Sequence, residues 1–495
     1  MFWKKFKSTI DQELNEPNMT GSETPVSVDA LRQLIVNMND AEIIERQINN
    51  DQKVTLLYIR TLIDQERLNE SIIKPLIDCP HESIYECMPN SKISSISTLE
   101  EAQTQLMNGF ILLYELKHNQ WWSVQLEIPL SRSIESSETE TILYGPKDSF
   151  SEQIEQNITL IRRRLPLNEL KTEKFTVGSL SKTTVVLMYI EGLTNPEFIA
   201  IARKKISSID FDLLLDSSNV AVFMEDHYHS IFPQFLLTDR PDACAYALGV
   251  GKLTFLVGNT PFALVAPITF FHLFQSPEDY IHRWLVASFL RCIRFFSYFL
   301  SMTLIPLYVA LTAHHYQMIP LQILYVLLES RSKLPFTPFW EGFLMIITLE
   351  IIKEASLRMP TKTSQTLGVI GGIVIGQAAV EAGFGSKVLI VLMGISAIAS
   401  FLVPNYLVTK SNTLIQIAFL VLSAFLGILG IVLGMIAVLA HLNGLTSLKQ
   451  PYFAPISPFY GKDWLDLFIR GPFHWMKTRP EYLRPLQKWR YRQRR

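Results

Sequence analysis

The sequence has few cysteines and no excess of either charge, and both absences restrict what the chain can do. Its four cysteines, Cys79, Cys87, Cys244 and Cys292, form no C-x-x-C pair, so neither a zinc site nor a redox motif is indicated. The formal net charge is −1, which provides no basic field to hold nucleic acid. We therefore expect no metal, no cofactor and no nucleic-acid partner.

The common catalytic motifs are missing as well. The sequence contains no G-x-x-x-x-G-K-[ST], no G-x-S-x-G and no H-E-x-x-H, so phosphate, acyl-transfer and zinc-hydrolase chemistry lack their parts. The group Glu225, Asp226, His227 and His229 has the composition of a metal site, but its spacing fits no single helix or strand face. We interpret the chain as a protein that is not an enzyme.

The apolar residues are unevenly distributed. Hydrophobic residues make up 48% of the 495 residues and charged residues only 18%, and the long apolar runs come after Trp284. The first ten residues contain no apolar run of a secretory signal. We therefore expect a soluble N-terminal half that stays in the cytoplasm and a membrane-embedded C-terminal half.

The soluble half contains a pattern that occurs twice. An apolar strand followed by an amphipathic helical pattern covers residues 54–76 and again residues 185–209. A strand, a polar turn and a second strand then cover residues 109–128 and again residues 251–266. The repetition predicts an α/β soluble half built of two related subdomains.

Composition also gives provisional boundaries. We predict a polar N-terminal arm over residues 1–50 with one short helix near residues 31–49, and a helical connector that ends in Arg162, Arg163 and Arg164. This arginine triplet fits either a solvated helix end or a contact with another domain or with lipid headgroups. The other predicted domains are subdomain 1 at 51–150, subdomain 2 at 151–283, a transmembrane domain at 284–445 and a basic tail at 446–495.

Four runs after Trp284 are long and apolar enough to cross a hydrocarbon core that needs about 20 residues. Two shorter runs, 318–328 and 339–352, the second with Glu341 and Glu350, are interpreted as interfacial or re-entrant helices. The four predicted spans, of which the last is long enough to tilt, are 295–313, 367–384, 388–408 and 414–442.

The C-terminal residues 477–495 carry eight Lys and Arg against the single acid Glu481. Such an excess near the last span marks the cytoplasmic side of a membrane and favours contact with anionic lipid. With both termini in the cytoplasm, the number of crossings is even, and four crossings satisfy this condition.

The helix predicted over residues 363–384 has two different faces. At 100° per residue, one stripe consists of small residues that let another helix approach closely, and the opposite stripe is partly polar. Glu381 is costly inside a membrane unless it meets water or a partner; alternatively it lies at the headgroup level and caps the helix end. The helix-packing candidates are Gly368, Gly372, Gly376 and Gly383, beside Ala379. The pore-lining candidates are Thr366, Ile370, Ile373, Gln377 and Glu381.

If this helix lines a symmetric pore, two functions are expected for the residues of its partly polar stripe. Ile370 and Ile373 would form a narrow apolar constriction, and Glu381 would form an acidic ring that favours cations. The glycine stripe would then serve only helix packing.

Over residues 150–480 the sequence resembles the A subunits of the GerA family of spore germination proteins. The resemblance rests on nine segments in a fixed order, which makes it specific. The segments are RRR at 162–164, YIEG at 189–192, RPD at 240–242, PFAL at 261–264 with Pro267 and TFF at 269–271, FQSPEDY at 274–280, FLR at 289–291, YVAL at 308–311, IGQAAV at 375–380 and AIASF at 397–401 with Pro404.

The resemblance implies a germinant receptor in the spore inner membrane, composed of A, B and C subunits. The B subunit of this family is a transporter-like nutrient sensor and the C subunit is a lipoprotein, while the A subunit is implied to form a pentameric, nutrient-gated cation channel. Three positions, Gln317, Ile346 and Leu407, depart from the acids usual in the family, which puts the details of gating in doubt. Two other functions stay open from the sequence, namely a small-solute transporter and a non-conducting scaffold for a sensor partner.

Five residues of the shared segments are candidates for coupling the soluble half to the membrane half. A purely structural interpretation competes, because Pro277-Glu278-Asp279 and Arg240-Pro241-Asp242 also suit helix starts. Likewise, Arg291 and Arg294 could extend to lipid headgroups. The coupling candidates are Arg240, Asp242, Glu278, Asp279 and Arg291.

Overall fold

The computed structural model describes residues 26–48, 52–78, 85, 88, 93–126, 140, 142, 144–332, 334–358 and 376–490. The chain forms two compact units. Unit 1 consists of Met1–Arg132 and Arg162–Glu173, and unit 2 consists of Ser133–Ile161 and Lys174–Arg495.

The first half of the chain builds a five-stranded antiparallel sheet, sheet 1. Its spatial strand order is β1-β2-β4-β5-β3. A π-helical turn, Asn69–Ile73, joins α2 to α3. The elements are α1 Val28–Leu34, β1 Ala41–Ile48, β2 Gln52–Ile59, α2 Gln65–Leu68, α3 Lys74–Ile77, β3 Ile93–Ile96, α4 Leu99–Met107, β4 Phe110–Glu115 and β5 Gln120–Gln125.

A second five-stranded sheet, sheet 2, follows. Its strand order is β6-β7-β9-β10-β8, and its hairpin β9-β10 turns at Asn259, whose φ of 63° suits asparagine. The elements are α5 Ile154–Arg164, β6 Leu170–Val177, β7 Thr183–Ile190, α6 Pro196–Ser207, α7 Ser217–Met224, β8 Leu236–Thr238, α8 Pro241–Val250, β9 Leu253–Val257 and β10 Ala263–Ala266.

The two sheets have the same strand order, in which the first, second, fourth, fifth and third strands are neighbours. The two predicted hairpins correspond to β4-β5 and β9-β10. The two predicted strands that lead into a helix correspond to β2, which is followed by α2, and to β7, which is followed by α6. The prediction of two related subdomains is confirmed at the level of sheet topology.

The predicted polar arm is not loose where the structure describes it. Residues 26–48 contain α1 and β1, and β1 pairs with β2 along its length, from Ala41 opposite Ile59 to Ile48 opposite Gln52. The prediction of a short helix near residues 31–49 is therefore wrong for most of its length, because α1 ends at Leu34 and the strand β1 follows at Ala41–Ile48. Pairing with the apolar strand β2 overrides the weak local pattern of this segment.

In unit 1, Asp40 is the centre of a buried polar cluster. Its carboxylate accepts hydrogen bonds from Arg162 Nε at 2.6 Å, Arg162 Nη2 at 2.7 Å, Thr172 Oγ1 at 2.7 Å and Thr61 Oγ1 at 3.0 Å. Burial opposes ionisation, but the charge of Arg162 and these hydrogen bonds lower the pKa of Asp40. Arg162 is 1% exposed, so the first arginine of the triplet is not a solvated helix end.

The C-terminal half is helical. Two of its described helices, α10 and α15, are long and apolar enough to cross a membrane by length and composition, and α14 and α16 are shorter apolar helices. The elements are α9 Glu278–Ile281, α10 Trp284–Ala313, α11 Leu321–Arg331, α12 Pro338–Arg358, α13 Gly376–Glu381, α14 Lys387–Phe401, α15 Tyr406–Leu426 and α16 Ile428–Gly444, followed by the short strands β11 Thr446–Ser447 and β12 Gln450–Pro451.

The single tilted helix predicted over residues 414–442 is wrong. The chain reverses at Gly427, where φ is 62° and ψ is −139°, a conformation that favours glycine. A Cβ on Gly434 would lie 2.7 Å from Phe419 Cε1, and one on Gly430 would collide with the carbonyl oxygen of Leu422. The run is a hairpin of α15 and α16, whose backbones approach closely at these two glycines.

Two other predicted segments end elsewhere. The run 388–408 is divided between α14 and α15, because Pro404 interrupts the helix and Asn405 caps α15 through a hydrogen bond from Val408 N. The segment 339–352, predicted to be interfacial or re-entrant, belongs to the 21-residue helix α12. Of the predicted span 367–384, residues 367–375 lie outside the described residues.

The helices of unit 2 have a defined direction relative to sheet 2. The α16 end contacts the loop before β8, where His441 Nε2 lies 3.0 Å from Ser230 Oγ, and Ser411 near the start of α15 donates to the Ile231 carbonyl. The α15-α16 turn lies at the other end of the bundle, where His314 Nε2 is 2.8 Å from the Ala424 carbonyl oxygen. Sheet 2 and the segment after α16 therefore lie at the same end of the helices.

Candidate functional site

A cluster of four charged residues joins the start of α10 to the C-terminal segment. We call Asp279, Arg291, Arg294 and Asp466 the junction cluster. Arg291 Nε donates to Asp279 Oδ2 at 3.1 Å, and its Nη1 donates to Asp466 Oδ1 at 2.9 Å. Arg294, three residues further on, donates to Asp279 Oδ1 at 2.7 Å. The spacing of the two arginines on α10 places both beside one carboxylate.

The centre of the junction cluster is buried, Asp466 is partly exposed, and the charges of the four residues balance. Arg291 is 0% exposed and Asp279 is 1% exposed. The remaining donor capacity of Arg291 Nη1 is directed at the carbonyl oxygens of Asp466 and Leu467, at 2.9 and 3.2 Å. Two guanidinium groups and two carboxylates cancel in charge, which makes their burial tolerable. The interpretation that Arg291 and Arg294 extend to lipid headgroups is therefore wrong.

Aromatic rings surround the junction cluster. Phe274 and Phe295 stack with their ring centroids 4.4 Å apart, and Phe468 packs edge-on against Phe295 at 4.8 Å. Tyr280 donates from its hydroxyl to Asp466 Oδ2 at 2.9 Å. Sheet 2 leads directly into these residues through the 3-10 turn Phe270–Phe274. The cluster thus lies between sheet 2, α10 and the C-terminal segment, with aromatic rings beside its charged groups.

The other coupling candidates are placed differently. Glu278 lies half-buried in the first turn of α9, as its suitability for a helix start predicts. Arg240 is bound to Asp242 through Nε at 3.1 Å and Nη2 at 2.7 Å, and its guanidinium also donates to the carbonyl oxygens of Glu140 and Pro146. This pair fastens Glu140 and Pro146 beside the start of α8, and its role in coupling to the membrane half stays a prediction.

Most of the predicted pore and packing residues cannot be placed. Thr366, Gly368, Ile370, Gly372 and Ile373 lie outside the described residues. In the part of the helix that is described, Gln377 Nε2 donates to Glu381 Oε1 at 3.0 Å, and both side chains are exposed.

The two described glycines of the packing stripe lie at the ends of α13. Gly376 is the first residue of this helix. Gly383 follows its last residue by two positions and has a φ of 72°, which is a helix-ending conformation. A turn at Gly383, not close helix packing, accounts for that glycine.

Buried polar residues inside the bundle were not singled out from the sequence. Ser396 Oγ donates to the Ser301 carbonyl at 2.9 Å, Gln416 Nε2 donates to Ser396 Oγ at 3.2 Å, and Asn412 donates to Ser301 Oγ. These bonds join α10, α14 and α15. The spacing of Asn412 and Gln416, four residues apart in an apolar run, is the signal that could have found them.

Two acids of α12 have defined partners. Glu341 is 0% exposed, and it accepts hydrogen bonds from Ser386 N at the start of α14 and from the Tyr308 hydroxyl. Glu350 pairs with Lys410 Nζ of α15 at 2.8 Å. Both acids therefore connect α12 to neighbouring helices, and the interfacial or re-entrant position of this segment stays a prediction.

The three departures from the family's usual acids lie in different surroundings. Ile346, 2% exposed, packs on α12 among Val309, Leu389 and Leu420. Gln317 and Leu407 are exposed. An acid at position 346 would be buried in this apolar cluster, so isoleucine suits the local packing.

The acidic and histidine-containing loop after α7 is structural. Asp226 accepts a salt bridge from Lys205 Nζ at 2.8 Å and hydrogen bonds from Thr446 Oγ1 and Lys449 N, both at 2.7 Å. It thus fixes β11 and the turn after it. In the described ranges no group of three or more His, Cys, Asp or Glu side chains could hold a metal ion.

The chain matches the family model described as Bacillus/Clostridium GerA spore germination protein over residues 29–482. It is 38% identical over 471 residues to spore germination protein GerQA of Bacillus cereus, covering 94% of each chain. It is 31% identical over 480 residues to spore germination protein KA of Bacillus subtilis (strain 168), covering 95% of this chain and 88% of that protein.

One solved structure is also similar. The crystal structure of the N-terminal domain of the A subunit of the Bacillus megaterium spore germinant receptor GerK3 matches at 25% identity and a TM-score of 0.37, covering 49% of this chain and 94% of that domain. Together with the match over residues 29–482, the full-length similarity to GerQA and KA decides the assignment. The chain belongs to the GerA family of spore germination proteins.

Proposed function

We propose that the chain is the A subunit of a nutrient germinant receptor in the spore inner membrane. The observation that carries this proposal is the family match from residue 29 to residue 482, which includes the sheets, the helices and most of the C-terminal segment. Its partners would be a transporter-like B subunit that senses the nutrient and a C subunit that is a lipoprotein.

The helices would cross the membrane more than once, with both termini in the cytoplasm. Support comes from the two long apolar helices α10 and α15 and from the position of sheet 2 and the C-terminal segment at one end of the bundle. The contacts of Glu341 with Tyr308 of α10 and of Glu350 with Lys410 near the start of α15 support a course of α12 along the bundle.

The proposed activity of the assembled receptor is the release of monovalent cations. An oligomer of this chain, a pentamer by family resemblance, would bring the exposed pair Gln377 and Glu381 of each copy around one axis. A ring of carboxylates would then concentrate cations beside the apolar constriction expected at Ile370 and Ile373.

The junction cluster is the proposed connection between the cytoplasmic sheets and this pathway. Arg291 is held from two sides, by Asp279 before α10 and by Asp466 of the C-terminal segment. Because breaking a buried ion pair is costly, the start of α10 would move together with both anchors. A change in sheet 2 would therefore reach α10 as a rigid displacement.

Complementation in spores tests the proposal. A strain that lacks this gene should lose its response to one nutrient and regain it with the intact chain, while reporters fused before Met1 and after Arg495 should both read cytoplasmic. An unchanged nutrient response in the deletion strain would contradict the receptor function. A reporter after Arg495 on the outer side would contradict the even number of crossings.

A further inference from the structure

A cavity of about 270 Å³ lies between sheet 2 and the C-terminal segment, all within unit 2. Its wall includes Lys252 at the start of β9, His272 of the 3-10 turn, and Asp463, Asp466 and Arg490 of the C-terminal segment. Pockets for drug-sized ligands have volumes of about 300–1,000 Å³. The cavity is therefore close to the size that suits a small molecule.

Lys252 is the unusual member of this wall. It is 1% exposed, and its Nζ has no hydrogen-bond partner among the residues that the structure describes. Burial lowers its pKa to about 7, against the attraction of Asp466. A buried ammonium group without a partner is unfavourable, and an anionic group bound to it would remove this cost.

The acids of the cavity wall are already engaged. Asp463 accepts the backbone N–H groups of Glu481 and Tyr482 at 3.0 and 3.1 Å, and Asp466 accepts from Arg291 and Tyr280. Both carboxylates thus accept hydrogen bonds from groups other than Lys252, while Asp466 still attracts its ammonium group through space. Among the described residues, no carboxylate lies within ion-pair distance of the Lys252 Nζ.

Two more side chains of the wall have a nitrogen atom with unused hydrogen-bonding capacity, and the Arg490 guanidinium also bonds the Tyr246 hydroxyl. His272 Nδ1 and Arg490 Nε are buried without a hydrogen-bond partner in the described part of the chain. Burial and the nearby charges of Lys252 and Arg291 lower the pKa of His272, so its imidazole is neutral. Phe271 and Trp475 line the cavity as well and provide apolar surface. The arrangement has a cationic end and an apolar wall, which suits a small anion with a carbon skeleton.

We propose that this cavity binds a small anion through a carboxylate or phosphate group held by Lys252 and Arg490. The inference goes beyond the proposed receptor function and does not depend on it. Since Asp466 belongs both to the cavity wall and to the junction cluster, a bound anion would change the charge beside Arg291. The site would thus place a second, cytoplasmic ligand next to the start of α10.

Calorimetric titration of the purified full chain in detergent tests the proposal, with inorganic phosphate and succinate as separate probes at pH 7 and constant ionic strength. We expect saturable binding of at least one probe at one site per chain. Losing a charge-assisted hydrogen bond in Lys252→Met should weaken it about tenfold or more. Lys204→Met, which removes an exposed lysine of α6, is the matched control and should bind as the intact chain does.

Arg490→Met provides an independent second variant. It should also weaken binding about tenfold, and it decides the test if thermal unfolding shows that Lys252→Met is not folded. Binding of succinate alone would identify a carboxylate ligand, and binding of phosphate alone a phosphate ligand. No saturable binding of either probe by the intact chain, or equal binding by the intact chain, Lys252→Met and Arg490→Met, would overturn the proposal.

Discussion

Arg291 of α10 and Asp466 of the C-terminal segment are 175 residues apart in the chain, yet their side chains are joined by a hydrogen bond of 2.9 Å. Asp279 binds the other side of the same guanidinium at 3.1 Å. One buried arginine thus connects the exit from sheet 2, the first long helix and the segment that follows the last helix. The first of our predictions replaces this arginine.

Replacing Arg291 with Met should destabilise unit 2 strongly. The change leaves Asp279 and Asp466 without their main cationic partner, and removal of one member of a buried ion pair costs about 3–5 kcal/mol. Thermal unfolding of the purified full chain measures the effect. Arg283→Met removes an exposed arginine just before α10 and should change little. Equal melting temperatures of the two variants would contradict the importance of the junction cluster.

Gly434→Ala and Gly430→Ala should disrupt the α15-α16 hairpin. The new methyl group would lie 2.7 Å from the Phe419 ring in the first variant and against the Leu422 carbonyl oxygen in the second. Overpacking of this kind costs about 1–3 kcal/mol or more. Gly394→Ala is the control, because a Cβ there meets no described atom within 4 Å. Membrane abundance and protease resistance of the three variants measure the difference.

Lys252 should give unit 2 a specific pH dependence. Its pKa is lowered from 10.5 to about 7 in the folded chain by burial. Between these values the unfolded chain binds the additional proton, so the free energy of unfolding rises with pH through this window. Lys252→Met lacks this titration. In anion-free buffer it should be more stable than the intact chain at pH 7, and the difference should shrink as the pH rises. A constant difference from pH 7 to pH 10 would contradict the lowered pKa.

Asp242→Ala should lower the amount of assembled receptor. The change removes the partner that holds Arg240 at 2.7 Å, and Arg240 in turn donates to the carbonyl oxygens of Glu140 and Pro146. Immunoblots of spore membranes measure abundance and an ion-selective electrode measures cation release. Normal abundance with altered release would instead assign this pair to gating.

The sequence predicts the repeated sheets because each subdomain contains one long apolar strand and one clear hairpin. The three-residue edge strand β8 is too short to produce a readable alternation. The sequence pattern does not reveal the chain reversal at Gly427, because apolar residues continue through the turn. Hydropathy alone therefore predicts one long helix. Periodicity does place Arg291 and Arg294 on one face of α10, but no local pattern contains their partner Asp466, since only tertiary packing brings it near.

The pore hypothesis depends on the helix face that carries Gln377 and Glu381, whose side chains are exposed and bonded to each other at 3.0 Å. Shrinking Ile370 or Ile373 to Ala should leave spores that lose cations or germinate without nutrient, because a wider constriction stays hydrated. Gly372→Leu or Gly376→Leu should instead lower assembly, because a bulky side chain blocks close helix approach.

The cation pathway is tested most directly by the rate of potassium release from nutrient-treated spores whose only copy of this chain carries Glu381→Gln. Receptor abundance is measured in parallel. Glu329→Gln, at an exposed acid of α11, is the matched control. For Glu381→Gln we expect normal abundance and slower release, because the acidic ring loses its charge while its shape is kept. For Glu329→Gln we expect no change in release. Unchanged release from Glu381→Gln, together with silent Ile370→Ala and Ile373→Ala and leaky glycine variants, would contradict it.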